Sequence, residues 1–371
     1  MKRLLCLLLT AALTLLLVSC ALPPLDGSGT QTGTPGDSDS FAGAAVAAEF
    51  LTRDGIVDLS KREYAHAECI ADLAALQAAY PDLLLVETAG HSLDGRSIPL
   101  AILGNRQAKK QVIVSAGIHG REYLTPLLAM AQIEFYLTYY NTGSYEGIPY
   151  STLFSECAFY ILPMCNPDGI MLSQAGLDAI SDPTLREQIQ KIYEKDLADG
   201  YTSQTRIDSY LQYWKANAGG TDLNRNFDAL WEQYGGAGRP CCVQYKGPRA
   251  ASEPETRALV DLTQRLDNVQ AVLCIHSQGE VLYWNCGQTG ALAQATLDFT
   301  AAVSRRTGYE IKSEKNNDAS YSDWCALEEG LIAITVETGI GLCPLDYEKF
   351  APIWEDNFDL LPLTAHYFLE K

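Results

Sequence analysis

The alternation of apolar and polar positions divides the chain into three stretches. Lys2 and Arg3 precede an apolar run from Leu4 to Val18, which has the length of a secretory hydrophobic region and falls short of the roughly 20 residues of a membrane span. A polar stretch rich in Gly, Ser, Thr, Pro and Asp runs from Pro23 to Ser40. It has too few apolar side chains to pack and is expected to be a flexible tether, with residues 20–58 assigned to it as a whole. Apolar periodicity then takes over. Residues 63–80 repeat at helical spacing and stop before Pro81, while 83–88, 97–103 and 111–117 read as strands. A helix is predicted from Tyr123 to Tyr140, a strand from Ala158 to Leu162, a polar helix from Asp182 to Asp199, and strands over 269–275 and 331–336. Strands alternating with helices predict one α/β domain over residues 59–371, a mixed sheet covered by helices on both faces.

Composition narrows the partners and the compartment. With 27 Lys plus Arg against 46 Asp plus Glu, a net charge of −19, the chain lacks the clustered cations that neutralise phosphates, so nucleic acid is excluded as a partner. The eleven Cys show no CxxC or CxxxC spacing, so a metal must be held by His and carboxylates. Leu17-Val18-Ser19-Cys20 closes the apolar run and resembles the lipobox of bacterial lipoproteins. That resemblance implies a signal peptide over residues 1–19, a diacylglycerol on Cys20, and a protein lipid-anchored on the extracellular face of the bacterial cell membrane. Without Lys2 and Arg3 the mature chain has 25 basic residues against 46 acidic, a charge of −21, which leaves the acyl chains as its only hold on an anionic bilayer. Nine Cys remain after Cys6 and Cys20, an odd number that leaves at least one free thiol. Cys157 and Cys165 lie about 26 Å apart along an extended run, out of disulfide reach.

The chemistry begins where strand 111–117 ends. Gly117-Ile118-His119-Gly120-Arg121-Glu122 sets a His and a Glu three apart in a turn entering a helix, where both can point at one metal. His276 ends the apolar run Val272-Leu273-Cys274-Ile275, the position at which open α/β sheets place their ligands. His119, Glu122 and His276 make a His₂Glu set with a fourth position open for water, a catalytic composition for zinc. Glu337, at the end of the apolar strand LIAITVE, is a carboxylate that is costly to bury without a purpose. His66, His91 and His366 sit where surface or core roles suffice.

From Tyr64 to the C-terminus the chain resembles the zinc carboxypeptidases of the M14 (carboxypeptidase A) superfamily. The resemblance is carried, in the family's order, by Gly95-Arg96-Ser97-Ile98, His119 to Glu122, Asn166-Pro167-Asp168-Gly169, Asp222-Leu223-Asn224-Arg225-Asn226-Phe227, Ser252-Glu253-Pro254-Glu255-Thr256, His276-Ser277 and Val336-Glu337-Thr338-Gly339. Trp214-Lys215-Ala216-Asn217 further resembles the bacterial subgroup that includes γ-D-glutamyl-diaminopimelate peptidases of cell-wall turnover. The resemblance implies a mixed, mostly parallel eight-stranded sheet, one zinc ion per chain on His119, Glu122 and His276, and a monomer acting on peptides or muropeptides. It implies that Glu337 is general base and acid, that Arg225 and Asn224 clamp the substrate's terminal carboxylate, and that Arg121 is an auxiliary contact. Asn166 to Gly169 is expected to be a structural turn.

Three positions depart from the family pattern. Lys215 stands where animal-type members have an Arg that polarises the scissile carbonyl, and it offers a point charge without the guanidinium fork. Lys315 stands at the ungapped position of the mobile Tyr that closes on substrate, which leaves Tyr309 and Tyr321 as the nearby candidates. Ser322 occupies the place where an apolar side chain favours aromatic substrates and an Asp favours basic ones, so side-chain preference stays open. Two other functions remain compatible with the sequence, a surface lipoprotein that binds peptides without turnover and an amide deacylase of acylated amino acids.

Overall fold

Eight strands form one sheet in the computed structural model, which describes residues 37–285, 287–313 and 318–370. In chain order these are β1 (Leu84–His91), β2 (Ser97–Leu103), β3 (Lys110–Ala116), β6 (Cys157–Leu162), β7 (Val269–His276), β8 (Val281–Trp284), β9 (Glu310–Ser313) and β10 (Ile332–Glu337), with β4 (Ser144–Tyr145) and β5 (Ile148–Pro149) forming a separate small hairpin. The sheet order is β1-β2-β6-β3-β7-β10-β8-β9. β6, β3, β7 and β10 are mutually parallel at its centre, and antiparallel pairings join β1 to β2, β2 to β6 and β10 to β8. β8 and β9 were not anticipated, because each is only four residues long and β9 is largely exposed, so neither shows a sustained alternation.

The central strands are apolar on both sides because both sides are covered. Along β7, Ala271, Leu273 and Ile275 face one core while Val272 and Cys274 face the other. The larger core is built with α2 (His66–Ala79), α3 (Leu124–Thr138), α4 (Tyr150–Glu156), α9 (Gly290–Thr307), α11 (Phe350–Asn357) and α12 (Leu360–Leu369). The smaller core is built with α8 (Pro254–Arg265) and α10 (Tyr321–Leu327). Each aliphatic side chain so buried contributes about 1.5–3 kcal/mol relative to exposure. A satellite core joins α5 (Pro167–Ala175), α6 (Pro183–Ala198) and α7 (Ile207–Leu211) around Trp214. It supports the loop that carries Lys215.

The expected tether is shorter than residues 20–58. α1 (Asp37–Phe50) is helical, and Phe50 is buried in the larger core, stacked on Trp354 at 5.3 Å and edge-on to Phe135 at 5.2 Å. Trp354 Nε1 donates to the Ala47 carbonyl at 2.9 Å. Downstream, the N–H groups of Ile56 and Val57 donate to the buried Glu134 carboxylate at 2.8 and 2.9 Å. The run Ala44-Ala45-Val46-Ala47-Ala48 favours helix, but such small side chains give little apolar pattern. The folded domain therefore takes in residues assigned to the tether. Residues 1–36, with Cys20, lie outside the described residues, as does Lys315. The eight described cysteines are free thiols.

Candidate active site

β3, β7 and β10 lie side by side and parallel, so their C-terminal ends open into one crevice, the place where such sheets bind ligands. β3 delivers His119 and Glu122 through a tight turn. Gly117 makes that turn at φ +63°, and a Cβ there would meet Ile170 at 2.8 Å and Pro126 at 2.9 Å. Gly120 lies so close to the Gly169 carbonyl, 2.3 Å from where its Cβ would be, that no side chain fits. Its N–H donates to the Lys215 carbonyl at 3.2 Å. Asn166 donates from Nδ2 to the carbonyls of Ile118 and Ala216, both at 3.1 Å. The expected structural turn thus ties the His119 loop to the Lys215 loop.

His119, Glu122 and His276 come together and are buried, with one candidate ligand atom from each within 4.8 Å of the others. Nδ1 of His119 lies 2.8 Å from Glu122 Oε1, and Nδ1 of His276 lies 3.0 Å from Glu122 Oε2. On the far side of the first ring, Nε2 of His119 lies 3.2 Å from Asp222 Oδ1. A proton held there by Asp222 leaves the Nδ1 lone pair facing a carboxylate oxygen, and two acceptors at that distance call for a cation between them. The donor set therefore fits a divalent metal. Burial raises the Glu122 pKa, but the two imidazoles outweigh it and hold the carboxyl well below its ordinary value. Burial likewise opposes ionisation of Asp222, and Lys215, His119 and Arg225 together hold it well below the usual range.

Glu337 pairs with His276 in the β10–β7 register. Both follow the residues that face the smaller core, Ala333 on β10 and Val272 and Cys274 on β7, so period-two alternation puts both side chains on that face. Thr338 donates to the His276 carbonyl from its N–H at 2.8 Å and its hydroxyl at 3.0 Å, which locks the two strand ends together.

Asn224 and Arg225 follow Asp222 in a single 3₁₀ turn (Leu223–Arg225). Asn224 Oδ1 accepts the Tyr321 N–H at 3.0 Å, which leaves Nδ2 as the end able to donate elsewhere. Arg225 donates from Nε to Tyr234 Oη at 3.0 Å and from Nη1 to the Asn224 carbonyl at 2.7 Å, and its Nη2 faces Asp318 Oδ2 at 3.1 Å. Burial disfavours its charge, but the carboxylates of Asp222 and Asp318 more than offset this and raise its pKa. Arg121 lies between His119 and Glu122 in the sequence, and its Nε has no hydrogen-bond partner among the described residues. Ser322, on α10, shares its hydroxyl with Ser320 at 3.0 Å and Thr335 at 3.2 Å.

Neither candidate for the closing tyrosine is placed to move. Tyr309 is buried in the larger core with its hydroxyl accepting from Asn357 Nδ2 at 2.8 Å, and Tyr321 is buried in the smaller core with its hydroxyl 2.6 Å from Thr263 Oγ1. Four residues at the site escaped sequence reasoning: Asp222 as a partner of His119, Tyr234, Asp318 and Cys343. The Cys343 thiol, whose pKa burial and Glu122 push up to about 12, donates to the Arg121 carbonyl at 3.4 Å and lies 3.8 Å from Ser277 Oγ.

Comparison with known proteins gives a consistent picture. Residues 69–359 match the family model described as zinc carboxypeptidase. The chain is 30% identical over 299 residues to the gamma-D-glutamyl-L-diamino acid endopeptidase 1 of Lysinibacillus sphaericus, covering 80% of this chain and 70% of that protein. It is 28% identical over 320 residues to the carboxypeptidase B of Astacus astacus, covering 81% and 95% respectively. Among solved structures, thrombin-activatable fibrinolysis inhibitor superposes with a TM-score of 0.64 at 17% identity, over 88% of this chain and 80% of that one.

Proposed function

The chain belongs to the zinc carboxypeptidase family, and on that premise we propose that it hydrolyses a peptide or isopeptide bond next to a free carboxylate, with cell-wall muropeptides as its substrate class. The observation that carries this reading is the Asp222–Arg225 turn, which holds His119 of the buried triad at one end and the carboxylate-binding guanidinium at the other. A metal site and an anion anchor so close together suit a substrate whose scissile bond lies near a carboxylate. The muropeptide assignment draws on the similarity to the γ-D-glutamyl endopeptidase.

Zinc on His119, Glu122 and His276 supplies Lewis acidity toward water and the scissile carbonyl. The remaining work belongs to the chain. Arg225 and Asn224 hold the carboxylate and Arg121 makes an auxiliary contact, which sets the bond over the triad. Glu337 accepts a proton from the attacking water and passes it to the leaving amine. Lys215 offers its ammonium to the oxygen on which negative charge develops, without the bidentate grip of an Arg. We place the enzyme outside the cell as a monomer, lipid-anchored through Cys20, and the intact mass of the mature N-terminus checks that assignment.

Mass spectrometry of products from purified muropeptides, beside a mixed L-peptide library, identifies the bond that is cut. Glu337→Gln is expected to fold and bind zinc yet lose at least about 100-fold in turnover, the scale of lost general acid and base catalysis. Activity within a few fold of wild type would remove Glu337 from the mechanism. Release of products only from L-peptides would keep the peptidase and reject the muropeptide assignment.

A further inference from the structure

The guanidinium of Arg225 is held on one side before any ligand arrives. Its Nε carries a single hydrogen, and that hydrogen goes to Tyr234 Oη at 3.0 Å. A carboxylate can meet a guanidinium bidentately across the two terminal nitrogens, or across Nε and one of them. Tyr234 closes the second route. Each terminal nitrogen has two hydrogens, and among the described residues Nη1 gives one to the Asn224 carbonyl while Nη2 faces Asp318 with another. The terminal pair thus keeps one hydrogen apiece for a ligand. Arg121, the auxiliary contact on the same carboxylate, adds a second cation, but nothing among the described residues holds its Nε. Direction at this anchor therefore comes from Arg225.

Tyr234 is itself fixed. It follows a 3₁₀ turn (Trp231–Gln233). Lys246 Nζ donates to the carbonyls of Trp231 and Tyr234, both at 2.9 Å, and lies 4.1 Å from the centre of the Trp231 ring. Trp231 Nε1 and Asn226 Nδ2 both donate to the Lys246 carbonyl, at 3.0 and 2.8 Å, so the loop that carries Tyr234 is tied to the residue after Arg225. Gly236 leaves room for the ring, since a Cβ there would lie 2.4 Å from Tyr234 Cε1 and 2.2 Å from the Gln244 carbonyl oxygen. The Tyr234 ring is half-buried and belongs to none of the three apolar cores. Its place is not explained by apolar packing, and the group it presents to Arg225 is a hydroxyl oxygen.

We infer that Tyr234 is a positioning residue of the carboxylate anchor, which by taking the Nε hydrogen turns the guanidinium so that only its two terminal nitrogens receive the substrate's carboxylate. The inference rests on the reading of Arg225 as that anchor. Without the hydroxyl, the Nε hydrogen is free and a carboxylate is held side-on or end-on with similar strength. Only one of the two directions sets the bond over the triad.

The test is steady-state kinetics of the zinc-loaded protein on a peptide that wild type cuts, with its terminal carboxylate free and as the amide. Wild type, Tyr234→Phe, Arg225→Ala and the double variant are compared, with zinc content and circular dichroism as checks on the fold. Tyr234→Phe removes only a hydroxyl and is expected to lose about tenfold or more in kcat/KM on the free acid, the scale of a hydrogen bond to a charged group. Because misdirected complexes form nearly as tightly, the loss should fall in kcat, with KM within about threefold of wild type. On the amide, which does not use Arg225, and in the Arg225→Ala background, the same substitution should cost less than about twofold, because its effect passes through the guanidinium. A loss that persists in that background, one shared by the amide, one carried by KM alone, or free-acid kinetics within about twofold of wild type would overturn the inference. Equal losses on free acid and amide in Arg225→Ala would overturn the reading of Arg225 as the anchor, and the role of Tyr234 with it.

Discussion

Asp222 shows what a single residue contributes that its neighbours in sequence do not reveal. His119, Glu122 and His276 were legible because their identities carry the chemistry and the strand ends give their positions. Asp222 could be read only as a flank of Asn224 and Arg225, since its partner His119 is 103 residues away. Tyr234, Asp318 and Cys343 were missed for the same reason, being ordinary residues until the fold sets them against Arg225 or Arg121. The contact from Asp222 to the far nitrogen of His119 fixes the tautomer and the orientation of the ring. Asp222→Asn, nearly the same shape without the charge, should therefore weaken zinc binding by about 10–100-fold, the usual effect of losing such a partner. Competition against a chromophoric chelator measures this, with circular dichroism as the check on folding. An affinity within about twofold of wild type would show that the turn alone positions His119.

At the scale of elements, the loop between Trp214 and Asp222 has no regular structure of its own, and the Asn217 side chain ties it to the helix that follows. Asn217 Oδ1 accepts the N–H groups of Gly219 and Thr221, both at 3.0 Å, and Nδ2 donates to Glu253 at 2.8 Å and Glu255 at 3.2 Å. The two glutamates flank the start of α8, so that helix braces the loop that presents Lys215 and Asp222. The motif Ser252 to Thr256 was visible in the sequence, but its task was not, because nothing local links it to Asn217. Glu255 is buried, its Oε1 has no hydrogen-bond partner among the described residues, and burial, with Asp168 adding to it, pushes its pKa up to about 8. A carboxyl raised in this way favours the folded state while protonated. Its contribution is complete below the unfolded value near 4.5 and is lost as pH rises toward about 8. Wild type should thus lose stability between about pH 5 and 8, by an amount on the order of a few kcal/mol. Glu255→Gln, neutral throughout, should flatten that slope. Urea unfolding of both proteins across the range checks it, and parallel pH profiles would show that Glu255 is ionised in the folded protein.

For the molecule as a whole, the sequence indicated the central parallel strands and both helical layers, because long apolar elements buried on both sides leave a pattern that single residues cannot blur. It misplaced the start of the domain. Five of the fourteen residues of α1 are alanines, and the two buried among its described side chains, Ala47 and Phe50, are spaced by about one turn with little around them to mark a face. Their value depends on Trp354, Phe135 and Phe358, which lie far along the chain. Phe50 stacks on Trp354, and Trp354 in turn packs against Phe135 and Phe358. Removing residues 37–58 would expose that aromatic cluster, leave Trp354 Nε1 without the Ala47 carbonyl, and strip Glu134 of the Arg53 side chain and the N–H groups of residues 56 and 57. The loss of a buried Phe alone costs about 3–5 kcal/mol, and an unpaired buried carboxylate adds to it. A protein beginning at Asp37 should therefore match the mature chain in thermal midpoint and zinc content. One beginning at Leu59 should melt several degrees lower or fail to accumulate in soluble form, although it keeps every residue of the active site. Scanning calorimetry of the two truncations decides the point. Equal midpoints would mean that α1 only rests on the surface of the domain and that the boundary near residue 59 was the correct one.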